Sequence, residues 1–141
     1  MEEKPYEIFD HTADIGIIVR GKRVEELFEK ASYGMFDIIT DVKKVEPIGK
    51  YTVNISSPTL EDLLVDYLSE LLYVFSTEFF VMCDFNVKIE RDKDGYQLHG
   101  IALGEPFDHK KHGTKIEIKA VTYHELEINL EHGYAKVLFD I

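Results

Sequence analysis

The feature that most constrains the fold is an unbroken apolar stripe in the middle of the chain. Its members repeat in the i, i+3, i+4, i+7 pattern of one helix face, and they are Leu60, Leu63, Leu64, Tyr67, Leu68, Leu71, Leu72 and Phe75. The opposite side of the same segment is acidic and carries Glu61, Asp62, Asp66 and Glu70. This arrangement predicts an amphipathic helix that buries one face. Its start has two candidate signals. Either Ser57 caps the helix ahead of Pro58, or Thr59 and Asp62 form a capping box.

The rest of the chain predicts one more long helix and a set of strands. The earlier helix begins at Val24, has Glu25 and Glu26 in its first turn, and ends near Thr40; its apolar stripe is Val24, Leu27, Phe28, Ala31, Met35 and Ile38. Alternating apolar residues predict strands at 6–10, 15–20, 50–56, 81–89, 96–103, 115–130 (one long strand or two) and 134–139. Together they predict an α+β fold, a two-layer sandwich of a mostly antiparallel sheet with two main helices packed on one face.

Length and composition predict one domain that spans residues 1–141. The chain has 141 residues, 45% of them apolar, and no repeat or linker. No apolar window is long enough for a membrane span, and the charged N-terminus does not look like a signal peptide. Cys83 is the single cysteine, so we expect no internal disulfide and a reducing, cytoplasmic setting. The net charge of −11 argues against direct nucleic-acid binding, which starts from basic charge.

A dense polar segment, Asp10-His11-Thr12-Ala13-Asp14, stands directly before a predicted strand. Asp14 is either a turn or capping residue or one ligand of a cation. Asp140 and the α-carboxylate of Ile141 are its candidate partners, since the terminal strands of a sandwich commonly lie side by side. Three converging carboxylates would repel one another without a cation such as Ca²⁺ or Mg²⁺ between them. The alternative is that Asp140 and Ile141 form a frayed end.

The run from Lys119 to His124 is the second candidate region. Lys119 is an ordinary solvated lysine, or else it faces the acids as a charge partner or a donor to phosphate. His124 falls on a mostly apolar face and is interpreted as a core histidine. A surface loop is predicted at 104–113, where His109 and His112 give only a weak zinc signal. No visible spacing assembles a nucleophile, a base and an orienting group, which argues against an independent enzyme.

Several motifs together resemble the archease family over essentially the whole chain. They are Asp10-His11-Thr12-Ala13-Asp14-Ile15-Gly16, Glu70-Leu71-Leu72, Gly104-Glu105, Lys119-Ala120-Val121-Thr122-Tyr123-His124 and Phe139-Asp140-Ile141. The resemblance implies an accessory protein of the GTP-dependent tRNA-splicing RNA ligase, which promotes guanylylation and repeated turnover of the ligase without catalytic residues of its own. It also implies a divalent metal at Asp14, Asp140 and Ile141, expected to be calcium with magnesium or manganese as alternatives. Lys119, together with Asp14 and Asp140, would take part in activating the partner ligase.

Two other functions remain open on the sequence. The first is a general protein-binding or chaperone-like module whose metal is purely structural. The second, ranked last, is a metal-dependent hydrolase or transferase, which would need an open metal position and a pocket. The acidity of the chain fits the accessory role, because an acidic protein is attracted to the basic cleft of an RNA ligase.

Overall fold

The computed structural model describes residues 4–11 and 13–141, with the backbone alone at positions 10 and 11. Within these residues there are two long helices, α1 (Val24–Ile39) and α2 (Leu60–Glu78). There is also a short helix, α3 (His109–His112), and a 3₁₀ turn at Val42–Lys44. The strands are β1 (Glu7–His11), β2 (Asp14–Arg20), β3 (Gly49–Ser57), β4 (Phe80–Asp92), β5 (Gly95–Pro106), β6 (Ala120–Val121), β7 (Glu127–Asn129) and β8 (Tyr134–Asp140).

The strands form two antiparallel sheets, and both long helices contact both of them. One sheet has the order β1-β2-β8-β6, with β7 also paired to β8, and the other has the order β3-β5-β4. The inner face of the first sheet presents Ile15, Ile17 and Val19 to the core, and the inner face of the second presents Val53 and Leu98. The predicted α+β class is confirmed. The division into two sheets was not predicted, because alternation identifies strands but does not tell which of them pair.

Helix α2 begins as the second of the two capping hypotheses predicts. The Thr59 hydroxyl oxygen accepts a hydrogen bond from the backbone N–H of Asp62 at 3.1 Å, which makes Thr59 the cap. The helix ends at Phe79, whose φ of 54° is left-handed. Inside the core, the Tyr67 hydroxyl donates to Ser32 on α1 at 3.0 Å and so joins the two helices. None of the helices in the described part of the chain is long and apolar enough to cross a membrane.

The prediction of one long strand or two over 115–130 is wrong in extent. Only the short strands β6 and β7 form there. The backbone N–H groups of Lys115 and Ile116 instead donate to the carbonyls of Ile39 and Ile38, at 2.9 and 3.2 Å. Those carbonyls are left without partners at the end of α1, so this segment caps the helix rather than extending a sheet. His124 lies in the turn that follows β6 and is exposed, so its interpretation as a core histidine is also wrong.

The predicted surface loop at 104–113 is largely structured and partly buried. Strand β5 continues through Pro106, and α3 follows. Glu105 is only 6% exposed and His112 only 2%. His112 Nδ1 accepts from the Asp108 N–H at 2.9 Å, so its Nε2 carries the proton that reaches Glu105 Oε2, also at 2.9 Å. Both ring nitrogens of His112 are therefore engaged inside the protein, and zinc binding with His109 is not supported.

Glu105 is the charged centre of this cluster. It accepts hydrogen bonds from the Glu46 backbone N–H at 2.8 Å, from His112, and from the Lys111 ammonium at 3.0 Å. Because these donors favour the ionised carboxylate, the Glu46 N–H most of all, they lower the pKa of Glu105 to about 2. A buried acid held in this way ties β5, α3 and the segment after the 3₁₀ turn together.

We predict that Glu105→Gln lowers the melting temperature at pH 7 and removes part of the acid sensitivity of the fold. A carboxylate with a lowered pKa stabilises the native state above its ordinary pKa of 4.5, and this contribution is lost as the pH falls from there towards about 2. The melting temperatures of wild type and variant should therefore converge over this window. Glu46→Gln is the matched control, since its exposed side chain contacts the same Lys111. Parallel curves for wild type and Glu105→Gln would contradict the assignment.

Candidate functional site

The two ends of the chain meet in the pairing of β2 with β8. In this antiparallel ladder Asp14 lies directly opposite Asp140. The Gly21 N–H donates to the Gly133 carbonyl at 3.0 Å at one end of the ladder, and the Ile141 N–H donates to the Ala13 carbonyl at 3.4 Å at the other. Since hydrogen-bonded and non-hydrogen-bonded pairs alternate, Asp14 and Asp140 form a non-hydrogen-bonded pair, in which Cα atoms are about 4.5 Å apart. The expected adjacency of the terminal strands is confirmed.

Asp14 and Asp140 lie on the outer face of the sheet. Their strand neighbours Ile15 and Phe139 are buried against the helices, so alternation turns the two aspartates the other way. Both are half-buried. Like charges that face each other across a ladder destabilise it, which makes a compensating cation favourable at this point.

The backbone around the acid pair, Asp14 and Asp140, is shaped by two small residues. Ala13 adopts a left-handed φ of 64°, uncommon for a residue with a Cβ, and its carbonyl receives the Ile141 N–H. Gly16 pairs with Phe9 on β1, and the Phe9 ring lies where a Cβ at position 16 would stand. Glycine is therefore required here for the ring to cover the sheet. The side chains of Asp10 and His11 and the whole of Thr12 lie outside the described residues.

Lys119 is joined to the acid pair through the backbone. Its N–H donates to the Asp140 carbonyl at 2.7 Å, and the next residue, Ala120, pairs with Asp140. The Lys119 side chain is exposed and lines a cavity of about 310 Å³ between α2 and β6. The structure thus brings together all four residues singled out in the sequence, Asp14, Asp140, Ile141 and Lys119. Within the described part of the chain, no carboxylate is ion-paired with the Lys119 ammonium.

The turn after β6 is attached to the start of α2 by a contact that the sequence did not reveal. The Tyr123 hydroxyl donates to the Asp62 carboxylate at 2.8 Å, and this bond to an anion raises the pKa of Tyr123 to about 12. Thr122 adds two hydrogen bonds to the Leu138 carbonyl, from its N–H at 3.1 Å and its hydroxyl at 3.0 Å. The sequence predicts Asp62 as a helix-capping residue. The aromatic Tyr123 within the 119–124 run is the signal that could have pointed to a contact between this turn and α2.

Comparison with known proteins decides the family. The model of the Archease protein family matches residues 6–141. A protein archease of Methanosarcina mazei is 43% identical over 141 residues, which cover 98% of this chain and 97% of that one. A second, from Pyrococcus furiosus, is 43% identical over 125 residues, covering 89% and 88%. The solution structure of protein 1598 of Methanobacterium thermoautotrophicum superposes with a TM-score of 0.85 at 38% identity and covers 99% of this chain and all of that one.

The chain belongs to the archease family. This confirms the resemblance carried by the motifs at residues 10–16 and 119–124. It also identifies the fold described above as that of an archease, since the matched structure covers nearly every residue.

The donor atoms at the end of β2 and β8 suit a hard divalent cation but do not complete its shell. Asp14 and Asp140 offer carboxylate oxygens, and Ile141 adds main-chain oxygens at the end of the same strand. Calcium takes six to eight oxygen ligands. Among the side chains that the structure describes, no group of three or more His, Cys, Asp or Glu residues is arranged to hold a metal. A cation bound by Asp14, Asp140 and Ile141 would therefore need further ligands to complete its shell.

We predict that Asp140→Asn stabilises the metal-free protein. The substitution removes one of two like charges that face each other, which is worth about 0.2–1 kcal/mol in a cross-strand pair. The free energy of unfolding should be measured by urea denaturation in the presence of a chelator. Asp94→Asn, at the exposed β4–β5 turn, removes a charge elsewhere and should leave the value unchanged. A loss of stability in Asp140→Asn would show that the two carboxylates do not repel each other.

Proposed function

We propose that this archease-family protein is an accessory protein of the GTP-dependent tRNA-splicing RNA ligase, whose guanylylation and repeated turnover it promotes. The observation that carries the proposal is the direct opposition of Asp14 and Asp140 at one end of the sheet, with Lys119 bonded to the same strand end. This end of the molecule, defined by Asp14, Asp140, Ile141 and Lys119, is called the acidic tip below. In the proposal, the tip approaches the active site of the ligase in the cytoplasm.

The acidic tip is proposed to hold a divalent cation, calcium in the first instance and magnesium or manganese as alternatives. Asp14 and Asp140 would bind it through their carboxylates and Ile141 through main-chain oxygen. When bound, the cation supplies positive charge that can neutralise phosphate oxygens. The residues of this chain orient the carboxylates outward, hold them in register through the β2–β8 ladder, and leave the shell open towards the partner.

The overall charge supports a protein partner rather than RNA itself. A net charge of −11 repels a phosphate backbone, but it steers the molecule towards a basic, RNA-binding protein surface. Lys119 is the basic residue of the acidic tip. Its exposed ammonium is available to an anionic group in the partner's active site.

We predict that Asp14→Ala and Asp140→Ala each abolish stimulation of ligase guanylylation while the fold is kept. Each variant loses half of the carboxylate pair and with it the bound cation. Single-turnover guanylylation of the ligase measures the effect, and calcium titration calorimetry of the isolated protein measures the cation. Asp94→Ala is the control for a lost surface charge. Full stimulation by both tip variants would disprove the proposal, and unchanged calcium binding would disprove the assigned ligands.

We predict that Lys119→Met lowers maximal stimulation at least tenfold, whereas Lys119→Arg retains part of it. Methionine keeps the length and apolar character of the stem but removes the charge, while arginine keeps the charge with a different donor geometry. The maximal rate is measured at a saturating concentration of this protein. Calcium affinity should be unchanged in both variants, because the ammonium is not a ligand. Equal stimulation by wild type and Lys119→Met would show that the charge is not used.

A general protein-binding or chaperone-like role is the second candidate, favoured by exposed apolar side chains. Ile48 is 74% exposed, and Phe79 and Leu130 are also largely exposed. Such a module would suppress aggregation of unrelated proteins as well as it helps the ligase. A panel of unrelated unfolding proteins therefore separates the two functions, since the accessory role requires an effect on the ligase alone.

A further inference from the structure

We propose that the cavity between α2 and β6 receives one large apolar side chain from a basic segment of the partner, and that it sets affinity while the acidic tip sets activation. The inference rests on the proposed function, whose partner it uses. The cavity, called the α2–β6 pocket, is lined by Ser69, Leu72, Tyr73, Ser76, Lys119, Ala120 and Val121.

The pocket is the right size and polarity for a single side chain. Its volume of about 310 Å³ is at the lower end of the range for small-molecule sites and is sufficient for one aromatic or large aliphatic group. Leu72 and Val121 give it apolar walls. Ser76 donates its hydroxyl to the Leu72 carbonyl of its own helix at 2.9 Å, so this donor is already used. The methylene stem of Lys119 adds further apolar surface.

Tyr73 marks the rim of the pocket. It is 62% exposed, on a helix whose other exposed positions are mostly polar or acidic. Tyrosine offers a large contact area with only two rotatable side-chain bonds, and it is enriched among the residues that dominate binding energies. An exposed tyrosine beside a preformed apolar cavity is therefore a suitable anchor for a partner.

The charges around the pocket select a basic partner. Helical spacing puts Asp62 and Asp66 on the same stripe of α2 as Ser69, Tyr73 and Ser76. On the other side, Asp140 pairs with Ala120 in the pocket wall. Carboxylates thus lie along the helix and across β6 from the pocket, in a protein whose net charge is −11, while Lys119 adds one positive charge to the pocket lining itself. A segment that inserts an apolar side chain here is bound more tightly when its neighbouring residues are Lys or Arg.

The pocket is held open before any partner arrives. The Tyr123–Asp62 hydrogen bond joins the turn after β6 to the start of α2, and the bond from the Lys119 N–H to Asp140 fixes the other end of β6. The first bond holds the chain just after β6 against the helix, and the second holds the start of β6 against β8. Binding a side chain in a preformed cavity avoids the cost of ordering it, which favours affinity. Lys119 belongs to both the pocket and the acidic tip, so one partner surface can occupy both.

The test separates affinity from maximal stimulation with two pocket variants of the full chain. Ser76→Phe fills the pocket and Tyr73→Ala removes its rim. Each should raise the Kd for the ligase about tenfold or more, the range typical for residues that dominate an interface. The maximal rate of ligase guanylylation, measured at a saturating concentration of each variant, should stay within about twofold of the wild-type rate. Asn86→Phe, which adds an aromatic residue to the exposed face of the other sheet, is the matched control and should leave the Kd unchanged.

The outcomes distinguish the pocket from the proposed function. Unchanged Kd values in both folded pocket variants overturn the pocket inference, whereas loss of stimulation in Asp140→Ala still supports the acidic tip. If wild-type protein neither binds nor stimulates the ligase, both fail. A concentration-dependent dimer that Ser76→Phe abolishes would show that a second copy of this chain occupies the pocket, and this too overturns the inference.

Asp66→Asn should weaken the salt dependence of binding to the ligase. An unchanged salt dependence would contradict the basic character of the segment.

Discussion

The pairing of β2 with β8 is the constraint on which the rest of the structure depends. It joins residues near the two ends of the chain, places β1 on one side and β6 and β7 on the other, and presents a row of apolar side chains to the core beside α1. A slip of one residue in this register would turn Ile15, Ile17 and Val19 outward and bring aspartate into the core. Burial of these residues therefore fixes the opposition of Asp14 and Asp140. The acid pair keeps this place because the hydrophobic pattern of the same strands leaves it no other position.

The edge of this sheet shows how a short strand is kept in place without a long ladder. Strand β6 has only two residues, so pairing with β8 alone gives it little stability. The Tyr123–Asp62 bond and the capping of α1 by residues 115 and 116 hold its two ends. Lys119 lies between these attachments, and its position relative to Asp140 follows from both. A change at Tyr123 or at the end of α1 is thus able to affect the acidic tip without touching it.

Much of the fold could be predicted from the sequence, because the spacing of apolar residues identifies the helices and the long strands. The stripe of α2 and its capping box are local signals, and the structure follows them closely. Two errors share a physical reason. The backbone of Lys115 and Ile116 pairs with the end of α1 instead of in a sheet, and Glu105 is buried because His112, Lys111 and a backbone N–H provide its hydrogen bonds. Both depend on partners far away in sequence. The same holds for the site, where adjacency of the termini could be expected but the register could not.

The clearest pKa shifts among the described residues belong to groups with structural roles. A catalytic acid or base works best with a pKa near neutrality. The clear shifts seen here run the other way: hydrogen bonding lowers the pKa of Glu105 to about 2 and raises that of Tyr123 to about 12, and burial raises that of Cys83 to about 11. Such groups keep one protonation state and serve structure. In the proposed function, the acidic tip would contribute fixed charge, some of the oxygen ligands of a cation and an exposed ammonium, and the partner would supply the reacting groups and the remaining ligands.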